Sequence, residues 1–175
     1  MFRKAEKNDI DAVENIYREI HKAEKDGITK TGWLDGIYPV RATALAGLDR
    51  GDLFVYEENG KILACAVINR IQVDVYEKCE WKYPARDDEV MVLHTLAVLP
   101  SAAGKGIGTA FAGFYESYAA ENGCKALRMD TNEINTPARS LYRKLGFREA
   151  GKVPCVFNGI PGVNLIILEK RIGDN

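Results

Sequence analysis

The chain counts 175 residues, of which 46% are hydrophobic and 28% charged, with a net charge of -1 at pH 7. That length supports one domain, residues 1–175, around a single buried core, and the composition excludes a disordered or low-complexity chain. A net charge this close to zero gives no electrostatic footprint for nucleic acid or an anionic membrane, so neither is expected as a partner.

In chain order, residues 2–6 predict a short strand. A helix follows over 8–25, with Asn8 as its cap and Ile10, Val13, Ile16, Tyr17 and Ile20 on one face at helical spacing. Asp26 and Gly27 end it. Residues 28–40, with Trp33, Tyr38 and Pro39, predict an ordered loop before a second helix over 41–50. Strands are predicted over 53–57 and 61–71, joined at Asn59-Gly60, a strong hairpin signal. Residues 72–88 are a longer polar insertion carrying Tyr76, Trp81 and Tyr83. The run 90–98 predicts a strand buried on both faces, interrupted only by His94 and Thr95. Straight alternation would place His94 on the same face as Val92, Leu96 and Val98.

That strand leads into Pro100-Ser101-Ala102-Ala103-Gly104-Lys105-Gly106-Ile107-Gly108-Thr109, where a glycine cluster opens a helix. Such a loop lets backbone come close to a ligand, and the first amides of the helix offer donors and partial positive charge to an anion. Ile107, Ala110, Phe111, Phe114 and Tyr118 form the predicted inner face of that helix, which Asn122-Gly123 ends. A strand over 127–131 follows. Then comes Asn135-Thr136-Pro137-Ala138-Arg139-Ser140-Leu141-Tyr142-Arg143-Lys144-Leu145-Gly146-Phe147. Thr136 is the expected N-cap, which would leave Asn135 free, and Gly146 is placed to stop the helix in a left-handed turn. Strands over 147–153 and 165–171 close the sheet around a loop at 158–162.

The order of strand, Gly104-Lys105-Gly106-Ile107-Gly108 loop, helix, strand and Asn135-x-x-Ala138-x-x-Leu141-Tyr142-x-x-x-Gly146-Phe147 resembles the GCN5-related N-acetyltransferases, the GNAT superfamily. The resemblance implies an α/β fold with a mixed, mostly antiparallel sheet, splayed central strands and flanking helices. It implies acetyl-CoA as cosubstrate, its pyrophosphate held by backbone amides of the loop and its pantetheine arm lying between the splayed strands. On that reading Leu96, Ala97, Val98, Ala103, Gly104, Lys105, Gly106, Ile107, Gly108, Thr109, Asn135, Ala138 and Tyr142 bind the cosubstrate. Ala103 stands where the family pattern has a long polar residue, which removes one side-chain clamp from the loop.

Acetyl transfer to an amine needs a proton removed from the amine, a stabilised oxyanion and a proton for the departing thiolate. His94 is the candidate base, since histidine ordinarily titrates near neutrality and this one sits inside the central strand; Glu89 stands in reserve. Backbone amides near Leu96 to Val98 are expected at the oxyanion, and Tyr142, a phenol protonated at neutral pH, is the candidate acid. Arg139, Arg143 and Lys144 are candidates for the ribose phosphate, and Trp33, Tyr38, Trp81 and Tyr83 for an aromatic acceptor wall. The first expectation for the acceptor is a small-molecule or amino-acid amine. A peptide amino terminus, a protein lysine, or a noncatalytic acyl-CoA sensor are the alternatives. Cys65, Cys79, Cys124 and Cys155 match no metal spacing, so no metal is expected. The charged amino terminus and strand-length apolar runs lead to a cytoplasmic location, and a homodimer is expected by prior alone.

Overall fold

A computed structural model describes residues 1–173. The elements run β1 (Phe2–Lys4), α1 (Ile10–Lys25), α2 (Arg41–Arg50), β2 (Leu53–Glu58), β3 (Lys61–Asn69) and β4 (Val90–Val98). They continue with α3 (Ile107–Glu121), β5 (Ala126–Asn132), α4 (Thr136–Lys144), β6 (Arg148–Phe157) and β7 (Ile160–Arg171). Seven strands form one sheet in the order β1-β2-β3-β4-β5-β7-β6. Every neighbouring pair is antiparallel except β4 and β5. No described helix is long and apolar enough to cross a membrane.

The helices cover both faces, as the sequence periodicities require. On one face Ile10, Val13, Ile16, Tyr17 and Ile20 of α1 pack with Leu53, Val55, Cys65 and Val67. On the other, Phe111, Tyr115 and Ala119 of α3 pack with Met91, Leu93, Leu127 and Met129. Beyond the reach of α1 and α2, the 72–88 segment takes over, and its Tyr76 is buried against Val90, Val92, Leu165 and Ile167. The polar insertion is therefore a lid on the core rather than a solvated loop.

Several boundaries differ from expectation. A 3₁₀ turn over Lys7–Asp9 precedes α1, and the Asp9 carboxylate accepts the Glu6 amide at 2.7 Å, so Asn8 is not the cap. On α3, Ala110 faces solvent and Tyr115 is buried instead. Its Oη donates to the carbonyls of Met91 (2.6 Å) and Arg128 (3.0 Å), tying β4 to β5 where they pair. The expected loop at 158–162 shrinks to Asn158-Gly159, both at positive φ (49° and 79°), the geometry of a two-residue hairpin turn. Strands β6 and β7 run right up to it.

Asn135 caps α4. Its side chain accepts from the Ala138 amide at 3.3 Å and its carbonyl receives Arg139 N–H at 3.1 Å. Thr136 is the first helical residue, which moves the helix start one residue upstream of the expected place.

Candidate active site

Strands β4 and β5 pair only from Val90 with Ala126 to Leu93 with Met129. Beyond that point β4 stays with β3 while Asp130 to Asn132 stay with β7, so the two strands part. The cause lies in β4. Its register with β3 runs His94 to Val67 and then Ala97 to Cys65, three residues against two, and Thr95 at the bulge carries φ +52°. Such a bulge bends the strand and turns it away from its neighbour.

The bulge also changes which residues face which side. His94 shares the α1 face with its partner Val67 and with Val92, but Leu96 and Val98 now pack on the opposite face with α3. The expected common face of His94, Leu96 and Val98 does not exist. Ala97 turns its side chain into the α1 core, leaving only its backbone for any ligand. Leu99 N–H bonds the Leu63 carbonyl at 2.8 Å, and alternation from there directs the Val98 and Leu96 amides toward the gap.

The gap holds a cavity of about 230 Å³, lined by Trp33, Tyr38, His94, Thr95, Asp130 and Tyr142 among others. Tyr38 Oη and Thr95 Oγ1 are hydrogen-bonded to each other across its wall. Burial pushes the Tyr38 phenol up to about 12. Tyr142 is 7% exposed, and burial together with the nearby Asp130 charge raises its phenol well above the ordinary range. It therefore keeps its proton at neutral pH. Burial lowers His94 to about 4, so the ring is neutral at pH 7 but does not titrate near neutrality as expected.

Asp130 is a component that sequence reasoning missed. Tyr76 Oη donates to its Oδ2 at 2.7 Å, and burial raises the carboxyl to about 6 against the lowering effect of that bond. The only sequence signal was one acidic residue near the end of an apolar strand. Glu89, the reserve base, lies at the other end of β4, paired with Lys125 at 2.6 Å and Arg86 at 3.2 Å, and takes no part in the cavity. Of the four expected wall aromatics, Trp33 and Tyr38 reach the cavity. Trp81 instead stacks under the Arg128 guanidinium at 3.7 Å, and Tyr83 lies beside Lys82. Arg139 is held by Glu149 through bonds of 2.9 and 3.0 Å.

The glycine loop lies past the end of β4. Gly104 and Gly106 both adopt φ +77°, where an L side chain is strained, and a Cβ at either would meet no protein atom within 4 Å. Ala110 N–H to the Gly106 carbonyl (2.9 Å) is the first bond of α3, so the amides of Ile107, Gly108 and Thr109 precede its ladder. Ala103, Gly104, Lys105, Gly106 and Thr109 are exposed, and Ile107 anchors the turn in the core. Gly108 packs against α4, where a Cβ would stand 3.3 Å from Leu141. The loop therefore presents backbone donors without a helical partner at the start of α3, an arrangement that suits an anion. Among the described residues no cluster of metal-ligating side chains occurs.

A family model described as the Acetyltransferase (GNAT) family matches residues 11–147. The uncharacterized N-acetyltransferase YhfO of Bacillus subtilis (strain 168) is 28% identical over 152 residues, covering 84% of this chain and 89% of that protein. An N-acetyltransferase from Staphylococcus aureus Mu50 superposes with a TM-score of 0.73 at 22% identity, covering 98% of both chains. The structure of yncA from Salmonella typhimurium with its cofactor acetyl-CoA superposes at 0.69 and 20% identity, covering 100% of this chain and 95% of that one.

Proposed function

Because the chain belongs to the Acetyltransferase (GNAT) family and is an acetyltransferase, we propose that it moves acetyl from acetyl-CoA to a small-molecule amine by direct attack in the cavity between β4 and β5. The observation that carries this reading is the placing of Tyr142, His94 and Asp130 on one cavity that begins where the two strands part.

Acetyl-CoA suits the residues present. The open Cβ directions at Gly104 and Gly106 leave room for a pyrophosphate against the amides of residues 104–109, and Lys105 adds a full charge. A backbone seat needs no side chain at Ala103. Asn135 and Ala138 border the cavity beside Tyr142, along the path of a pantetheine arm. When bound, acetyl-CoA supplies the acetyl thioester.

In this reading His94, a neutral ring with a lone pair, accepts a proton from the acceptor nitrogen directly or through one water. The amides of Val98 and Leu96 face the developing oxyanion. Tyr142 gives its proton to the departing sulfur. One proton leaves to solvent for each ammonium acetylated, and Tyr142 is reprotonated by the one that His94 received. The cavity volume of about 230 Å³, narrowed by the Tyr38 and Thr95 side chains, favours a small acceptor over a folded protein surface. Thiol release from acetyl-CoA against a panel of amines and peptides tests the proposal. Small amines should give turnover above the peptides, and turnover with peptides alone would overturn the substrate assignment.

A further inference from the structure

Among the described residues Asp130 has no cation beside it. Its one hydrogen bond among the described residues is the Tyr76 donation to Oδ2, and Oδ1 takes none. The groups around it from the packed elements are Tyr76 from the 72–88 segment, Tyr142 from α4, Cys155 from β6, and Tyr38, all uncharged at neutral pH. On β4 the neighbouring wall offers neutral His94 and the Thr95 hydroxyl.

A half-buried carboxylate ringed by uncharged groups costs free energy unless something pairs with it. The fold does not need its charge, because an asparagine would accept the same Tyr76 bond at no such cost. Yet it lines the cavity together with the rings of Trp33 and Tyr38. We propose that Asp130 is the acceptor-recognition residue, its Tyr76-fixed carboxylate receiving the ammonium group of a small cationic amine whose apolar body lies against Trp33 and Tyr38. This rests on the acetyl-transfer reading and adds to it the chemical class of the acceptor: a primary ammonium on a compact apolar or aromatic frame, with no carboxylate next to the amine. An adjacent carboxylate would bring a second anion against Asp130 with no arginine or lysine beside it.

The test uses benzylammonium and its uncharged counterpart benzyl alcohol as probes, titrated by calorimetry into protein saturated with coenzyme A. Wild type should bind benzylammonium roughly 10- to 100-fold tighter than the alcohol, the range of a charge-assisted hydrogen bond. Asp130→Asn should bind the two alike while keeping its coenzyme A affinity. Tyr76→Phe, which keeps the carboxylate but frees it, should retain a reduced preference, and it serves if the asparagine variant does not fold. No preference in wild type, or an undiminished preference in Asp130→Asn, overturns the inference and leaves acetyl transfer standing. Loss of coenzyme A binding in wild type itself would instead overturn the underlying reading.

Discussion

His94 Nε2 lies 3.1 Å from Asn69 Oδ1, and the same oxygen accepts the Ile71 amide at 2.8 Å while the Asn69 amide donates to Asp52 Oδ2 at 2.9 Å. With Asn69 oriented by two other partners, its oxygen must accept from the ring, so neutral His94 carries its lone pair on Nδ1. Burial disfavours the imidazolium and holds the group at about 4. In kinetics, His94→Ala should therefore lower turnover by a similar factor at every pH from 6 to 8, because the ring does not titrate there. A loss confined to the acid side of that range and repaired by pH 8 would contradict the lowered value.

The same burial carries a stability signature of opposite sign at the two groups. For His94 the folded value lies below the ordinary 6.5, so its contribution is intact above that pH and is lost as pH falls toward 4. Asp130 is held above the ordinary carboxyl value of 3.8, at about 6, so folding is penalised as pH rises through that window and fully so at pH 7. Asp130→Asn should then be more stable than wild type at pH 7, by something on the order of 2 kcal/mol, with the gain vanishing toward pH 4. Denaturant unfolding at four pH values between 4 and 7 reads this directly. An asparagine variant that is less stable at pH 7 would mean that the carboxylate serves the fold.

At the loop, Gly106 adopts φ +77° with open space where a Cβ would stand. A Cβ at this position meets no protein atom within 4 Å, so the expected costs of Gly106→Val are backbone strain and obstruction of whatever approaches the amides. Acetyl-CoA affinity by calorimetry should fall by at least ~10-fold in a variant that still unfolds cooperatively. Unchanged affinity in a folded variant would take the loop out of the cosubstrate site.

Much of this architecture is readable from residue order because it rests on local rules. Strand 90–98 and helix 41–50 come out with the observed bounds, and Asn59-Gly60 turns at φ 50° and 73° as that pair of residues prefers. What escaped the sequence is whatever depends on a non-local partner. Nothing local marks Thr95 as a left-handed residue, so alternation counted straight through it assigns Leu96 and Val98 to the wrong face. Asp130 gains its character from Tyr76, 54 residues upstream, and from the strand separation that opens a cavity beside it. Trp81 is lost to the acceptor wall because Arg128 claims its ring.

The central claim is that the cavity is a place of reaction rather than a seat that only senses acyl-CoA. Tyr142 decides it, since the phenol is held protonated beside Asp130, while its ring packs against Phe147 with centroids 6.1 Å apart. Tyr142→Phe keeps the ring and that packing and removes one hydroxyl. Single-turnover acetyl transfer to an amine accepted by the wild type is the direct measurement, because product release then cannot mask the chemical step. The account predicts a loss on the order of 10²- to 10⁴-fold with acetyl-CoA affinity preserved. A Tyr142→Phe variant that transfers acetyl at the wild-type single-turnover rate would contradict it.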